Sequence, residues 1–185
     1  IYIYIQFSMI NYRSLYLPII MGLATPIYLE KCGMLIGQKG IEYYGEVHPS
    51  FHNSMVHTIF MPVTIFGMLL WIPQLLTYMP FVTIKTTDSF FIQRFLYIMY
   101  MTHYITIDLM MGMALILLYA FPLVGAIFYN RRYNSITHGL SISIGSLVIQ
   151  EIFGHYLSGD PPSRVEAIPN AILYAIYFSI GHFFR

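Results

Sequence analysis

The sequence is poor in charged residues and in cysteine. Only 9% of its 185 residues are Asp, Glu, Lys or Arg, whereas soluble globular domains have about 25%. The formal net charge is +1 and no basic block occurs, which excludes nucleic acid as a partner. Cys32 is the single cysteine, so an internal disulfide and a cysteine-rich zinc site are also excluded.

The chain is instead rich in apolar residues, which make up 57% of it. A protein of this length could not bury so much apolar surface in its own core, so lipid is the predicted solvent. We expect an all-α, polytopic integral membrane protein with about four to five transmembrane helices, of the endoplasmic reticulum if the source is eukaryotic. One membrane domain is predicted over residues 40–185. Residues 1–39 are predicted to be an N-terminal segment that is interfacial or, upstream of a natural start at Met9, partly non-native; a fragment is the alternative.

The apolar runs predict where the helices lie. Residues 54–76 are the first clear span, with a kink predicted at Pro62. Residues 90–129 have about twice the length of one span, which predicts two helices that turn near Asp108–Gly112; one long tilted helix is the rival interpretation. The other segments are, in chain order, a re-entrant or interfacial run at 14–29, a loop at 77–89, a polar turn at 130–134, a span at 136–157, a loop at 158–168 and a short last span at 169–184.

Three histidines precede or begin the first span. The stretch "EVHPSFHNSMVH" contains His48, His52 and His57 within ten residues. If it is helical, His48 and His52 lie one turn apart on one face, and Asn53 and His57 share another face. Interfacial histidines that meet lipid headgroups and water are one interpretation. Because of their density, we favour a metal site.

Carboxylates in apolar surroundings are the second group of candidates. Glu151 lies one turn before His155, so it is expected to ligate a metal or to accept the second ring N–H of His155. A structural Glu–His hydrogen bond is the alternative. Asp108 shares a helical face with Tyr104, and either supports the site or caps a helix turn. Asp160, in the following loop, is expected near the mouth of the site as a lesser contributor.

Chain topology tests whether these groups can meet. If residues 90–129 form two helices, then His57, His103 and His155 reach the same side of the membrane. If they form one, His155 lies on the opposite side. His138 is about 25 Å from His155 along a single helix, at about 1.5 Å per residue, and cannot share its site. We predict that His48, His57 and His155 ligate one metal, with His103 as a fourth nitrogen donor.

The donor chemistry narrows the choice of metal. Imidazole suits iron, zinc, copper or nickel, and a facial set of histidines with one carboxylate suits non-haem Fe(II). A haem with two histidine ligands is the main competitor. The position of these histidines at helix ends argues against haem.

Three stretches occur in a fixed order: "YYGEVHPSFHNSMVHTIFMP", "YITIDLMMG" and "IQEIFGH". Together they resemble the Mpo-type family, the fungal 2-hydroxy-fatty-acid dioxygenases and their relatives, over about residues 40–180. The first stretch is similar to a family motif of Tyr, His, Asn, His and Pro, the second to Tyr-x-x-x-Asp-x-x-x-Gly, and the third to a Gln-rich approach to a Gly-His pair. The matching residues of the first motif are Tyr43 or Tyr44, His48, Asn53, His57 and Pro62.

The resemblance implies a function in fatty-acid α-oxidation. An Fe(II) ion held by histidines would bind a 2-hydroxy fatty acid and O₂, and the products would be CO₂ and a fatty acid one carbon shorter. The acyl tail would stay in the lipid bilayer. The oligomeric state is not indicated. Two other functions stay open, namely a haem-binding or structural membrane protein without activity and, less favoured because no His-x-x-His-His box occurs, a di-iron lipid hydroxylase.

The chain also departs from the family pattern. Gly159 stands where the family has a Glu, and Asp160 follows it. Glu151 stands where a Gln is expected, and His52 is an addition. These departures indicate a divergent member.

Overall fold

The computed structural model describes residues 12–31, 37–46, 48–77, 89–133, 135–162 and 168–181. Within these ranges every regular element is helical and no strand occurs, so the predicted all-α class is confirmed. The elements are, in chain order, α1 (Tyr12–Lys31), α2 (Gly37–Gly45), α3 (Phe51–Thr77), α4 (Ser89–Ile107), α5 (Leu109–Arg132), α6 (Ile136–Ile149), a π-helical segment (Gln150–Tyr156) and α7 (Ile168–Gly181).

Three of the described helical stretches are long and apolar enough to cross a membrane, by length and composition: Phe51–Leu76, Leu109–Arg132 and Ile136–Tyr156. Large apolar side chains cover their outer faces, among them Leu117, Phe121 and Phe128 on α5. Lipid is the solvent that can cover such faces. The chain is therefore an all-α membrane protein, and the spans predicted at 54–76 and 136–157 are confirmed. The shorter helices α4 and α7 pack beside α5 and α3 respectively.

The run 90–129 forms two helices, as predicted, and the single long helix is wrong. Asp108 adopts an extended conformation between them, and its side chain accepts a hydrogen bond from the backbone N–H of Met111 at 2.8 Å. The two helices then pack against each other so closely that a Cβ atom on Gly112 would lie 2.8 Å from Cα of Ile105. Residues seven apart in one continuous helix are about 10 Å apart, so the chain reverses here.

Two predicted segments need correction. The run 14–29 is part of one continuous 20-residue helix, with Pro18 and Pro26 inside it, so the re-entrant interpretation is wrong, while the interfacial one stays a prediction. Each proline removes one backbone hydrogen bond. Unwinding the helix in apolar surroundings would leave more backbone groups without a partner, so the helix persists. The polar turn predicted at 130–134 begins only at Tyr133, because Asn130 and the two arginines after it belong to α5.

Small residues and tyrosines join the helices into one body. A Cβ atom on Gly67 of α3 would lie 2.6 Å from the backbone nitrogen of Ser143, so α3 and α6 pack with their backbones nearly in contact. Tyr104 is fully buried, and its hydroxyl donates to the Leu173 carbonyl at 2.8 Å, which joins α4 to α7. This packing places the last turn of α6 and the π segment directly against the first turns of α3.

Candidate metal centre

The structure brings His48, His57 and His155 together, as predicted. All three are buried, with 2%, 7% and 1% of their surfaces exposed. Each offers one ring nitrogen, and these three atoms lie within 4.8 Å of one another. The three side chains come from different segments, namely the link between α2 and α3, α3 itself, and the π segment. We call these three residues the histidine trio.

His48 presents its Nε2 atom to the trio. Its Nδ1 atom lies 2.8 Å from the Tyr44 carbonyl oxygen, and its ring stacks on the Tyr44 ring at 4.3 Å between centroids. The Nε2 atom is buried without a protein partner. Burial, and then the neighbouring His57, lower the pKa of His48 to about 3. His48 is therefore neutral at physiological pH, with the Nε2 lone pair available to a metal.

His155 is held in the matching orientation by a backbone carbonyl. Its Nδ1 atom lies 2.6 Å from the Pro161 oxygen, which assigns the proton to Nδ1 and the lone pair to Nε2. That Nε2 atom lies 3.4 Å from Nε2 of His57. The π segment contributes to this position of His155, because its turns hold one residue more than α-helical turns. The bonds from Leu157 N to Ile152 O and from Asp160 N to His155 O show this five-residue spacing.

The arrangement fits a metal ion. Two nitrogens bound at 2.0–2.1 Å with a tetrahedral angle are about 3.3–3.4 Å apart, which agrees with the His57–His155 separation of 3.4 Å. Buried nitrogen atoms without a hydrogen-bond partner are costly in a folded protein. A cation bound to the trio would satisfy the Nε2 lone pairs, and three histidines leave further coordination positions open.

Asp160 ties the segment that carries His48 to the loop after His155. Its Oδ2 atom accepts hydrogen bonds from the Ser50 hydroxyl at 2.7 Å, the Ser50 backbone N–H at 3.3 Å and Asn53 Nδ2 at 2.8 Å. Burial raises the pKa of Asp160, but the bonds from Ser50 and Asn53 outweigh it, so the net shift is downward. Asn53 is fully buried, and its Nδ2 atom also lies 3.4 Å from Nδ1 of His155. The predicted supporting role of Asn53 thus has a geometric basis.

Glu151 lies beside the site, but the predicted hydrogen bond from Nδ1 of His155 goes elsewhere. The carbonyl of Pro161 takes that position. Glu151 is half-buried and lines an open cavity of about 520 Å³ next to the trio. The other residues that line this cavity are Ile152, His155, Tyr156, Gly159, Asp160 and Pro162. Asp160 is bonded to Ser50 and Asn53, which border the trio. The relative effect of the two carboxylates on metal binding stays a prediction.

Four candidates lie apart from the trio. His103 is buried on α4 beside the rings of Tyr104 and Tyr174, and it is not one of the donors within 4.8 Å of one another, so the structure does not place it in the close donor set. His52 is exposed on α3, whereas its neighbour Asn53 is buried. Asp108 is an exposed helix cap, and Tyr104 joins two helices. The predictions for these four residues share one limit. Helical spacing tells which residues share a helix face, but not which neighbouring helix that face contacts.

His138 lies at the other end of the same span as His155, as its spacing predicted. It is exposed, and its Nδ1 atom lies 2.7 Å from the Tyr129 hydroxyl.

Two contributors to the site, Ser50 and the Pro161 carbonyl, carried no signal in the sequence.

The chain matches no family model, no curated protein and no solved structure.

Proposed function

We propose that the chain is a membrane-embedded Fe(II) dioxygenase that shortens 2-hydroxy fatty acids by one carbon. The observation that supports this most is the histidine trio, three buried imidazoles whose nitrogen atoms converge at one end of two membrane-length helices. This depth is where the polar head of a lipid substrate lies. A location in the endoplasmic reticulum, if the source is eukaryotic, belongs to the same proposal.

The residues of the site have separable roles in this proposal. The trio would hold the iron on one side, and bound iron supplies the redox chemistry that a reaction with O₂ requires. The cavity lined by Glu151 and Asp160 would admit the head group, while exposed apolar side chains such as Ile152 border the path of the acyl chain. Two carboxylates beside the cavity repel an anionic head group. Binding of the substrate is therefore expected to depend on the charge of the metal.

A zinc site is the second candidate, because the nitrogen spacing between His57 and His155 is the tetrahedral one. Haem fits less well. The three imidazole rings have centroids only 4.7–5.5 Å apart, which leaves no space for a porphyrin between any two of them. A di-iron centre of the carboxylate type uses several glutamates from facing helices, whereas the close donor set among the described residues consists of three histidines.

The test is metal analysis and O₂ uptake on the full chain purified in detergent. We expect about one non-haem iron per chain, and O₂ consumption with 2-hydroxypalmitate but not with palmitate, which lacks the hydroxyl group. His57→Ala should abolish both. His138→Ala is the matched control, since it removes an imidazole from the far end of the bundle and should change neither.

Three outcomes would contradict the proposal. Bound zinc without O₂ uptake supports the second candidate. A Soret band supports haem. A chain that binds no metal leaves the trio as a structural cluster.

A further inference from the structure

The histidine trio lacks one of the contacts that metal-binding histidines almost always make. Such a histidine donates its second ring N–H to an acceptor, and this fixes which nitrogen faces the metal. His48 has the Tyr44 carbonyl as its acceptor, and His155 has the Pro161 carbonyl. The Nδ1 atom of His57 is buried and has no hydrogen-bond partner in the described residues.

Gln150 offers the kind of acceptor that His57 lacks. It is the first residue of the π segment and 98% buried, and its Oε1 atom is a buried acceptor without a hydrogen bond. Its side chain lies next to the His57 ring. Its Nε2 atom donates to the Thr64 hydroxyl at 2.8 Å, and Thr64 follows His57 by seven residues, which is two turns along the same face of α3.

The amide of Gln150 cannot turn over without breaking a chain of hydrogen bonds. The Thr64 hydroxyl donates its only proton to Ser146 Oγ at 2.9 Å or to the Phe60 carbonyl at 3.2 Å, and the Ser146 hydroxyl donates to the Phe60 carbonyl at 2.8 Å. The Thr64 oxygen is therefore left as an acceptor, so it requires the NH₂ end of the Gln150 amide. This holds the oxygen end on the other side.

We propose that Gln150 is the positioning residue of His57: its Oε1 atom accepts the Nδ1–H of His57 and thereby directs Nε2 of His57 to the metal. Each imidazole of the trio then has its own acceptor, two of them backbone carbonyls and one a side chain. The inference rests on the metal site of the proposed function but not on its reaction with O₂. Gln150 would accept this bond with its side chain, whereas Tyr44 and Pro161 use backbone carbonyls. Its role can therefore be tested by substitution.

The test compares three variants of the full chain in detergent by their affinity for Fe²⁺, titrated anaerobically, and for Zn²⁺, each in competition with a chelator. Gln150→Leu removes the acceptor and should weaken binding roughly 10–100-fold. Gln150→Glu keeps an acceptor at that position and should bind far more tightly than the leucine variant. Gln93→Leu is the matched control: Gln93 is equally buried, on α4, with its own Oε1 atom unbonded. It should retain wild-type affinity.

A spectroscopic readout separates positioning from stability. In ¹⁵N-histidine spectra of the zinc-loaded chain, the His57 Nδ1–H proton should be hydrogen-bonded and exchange slowly in the wild type and in Gln150→Glu. It should exchange rapidly in Gln150→Leu. If the leucine variant does not fold, the glutamate variant and the wild type still test the bond through this proton.

The failures are distinguishable. Wild-type chain that binds neither ion overturns the metal site itself. Wild-type chain that binds metal, with Gln150→Leu binding as tightly or Gln93→Leu losing as much, overturns the role of Gln150 alone.

Discussion

Gly154 is the position where the smallest possible change should disable the site. It lies one residue before His155, and a Cβ atom added there would be 2.8 Å from Oδ1 of Asn53 and 3.5 Å from Nε2 of His57. The first distance is about 0.7 Å shorter than the contact distance of roughly 3.5 Å. Asn53 cannot yield freely, because it is fully buried and its Nδ2 atom is bonded to Asp160.

Gly154→Ala therefore combines two opposing effects. Alanine in place of glycine favours a helix by roughly 0.5–1 kcal/mol. Overpacking of a buried site costs typically 1–3 kcal/mol, so we expect the variant to be destabilised overall. Metal affinity should fall further than stability does, because the side chains that must move are Asn53 and His57. Gly145→Ala is the control. Gly145 lies nine residues earlier, on α6, with nothing within 4 Å of an added Cβ, so alanine there should stabilise the helix by roughly 0.5–1 kcal/mol without overpacking.

The assay is a pair of measurements on each variant in the same detergent, the free energy of unfolding and the affinity for metal in competition with a chelator. The expected order of stability is Gly145→Ala, wild type, Gly154→Ala. A Gly154→Ala protein that is as stable as Gly145→Ala and binds metal like the wild type would refute the close packing of Gly154 on Asn53.

Three further predictions concern the surroundings of the site. Asp108→Ala removes the cap of α5 and should cost about 1 kcal/mol of stability with no change in metal affinity; a loss of metal instead would restore Asp108 to the site. Asp160→Asn should weaken both stability and metal binding, and because the pKa of Asp160 is lowered on folding, the stabilisation by this carboxylate is complete above its ordinary pKa of 3.8 and is lost as the pH falls through the lower folded value. Unfolding measured between pH 3 and 7 should therefore show a smaller acid dependence in the variant, whereas parallel curves would contradict the bonding of Asp160 to Ser50 and Asn53. Removal of metal by a chelator should lower the thermal transition by the equivalent of about 2.7 kcal/mol when free metal had been 100 times Kd, and His57→Ala should be insensitive to the chelator.

The course of the helices was largely predictable, since apolar run length is a direct consequence of bilayer thickness. The turn at Asp108 is the decisive case. A length of two spans together with an ionisable residue at the middle favoured a reversal there over one long tilted helix, and that reversal is what returns His155 to the side of His57. The continuous helix through Pro18 and Pro26 was not predictable in this way, because the penalty of proline is visible locally while the cost of unwinding in apolar surroundings is not.

The trio itself was predictable, but its supporting contacts were not. His48, His57 and His155 stand out as polar groups at the ends of apolar runs. Their acceptors do not, because Tyr44 and Pro161 contribute backbone carbonyls, which every residue has. His103 lies outside the trio for a different reason. Membrane topology gives the depth of a side chain but not its direction around the helix axis, and His103 faces Tyr174 rather than the trio.

The π segment is what allows two side chains that are five residues apart to face α3 together. With 3.6 residues per turn each residue of an α-helix advances by about 100°, so Gln150 and His155, five apart, would diverge by about 140° on an ordinary helix. In the π segment both are buried. A π turn accommodates one residue more than an α turn, so deleting a single lipid-facing residue such as Ile152 or Phe153 would leave Gln150 and His155 four apart on an α-helix, only about 40° from each other. We therefore expect such a deletion to keep both side chains toward α3, whereas α-helical winding at unchanged length would turn one of them away from it.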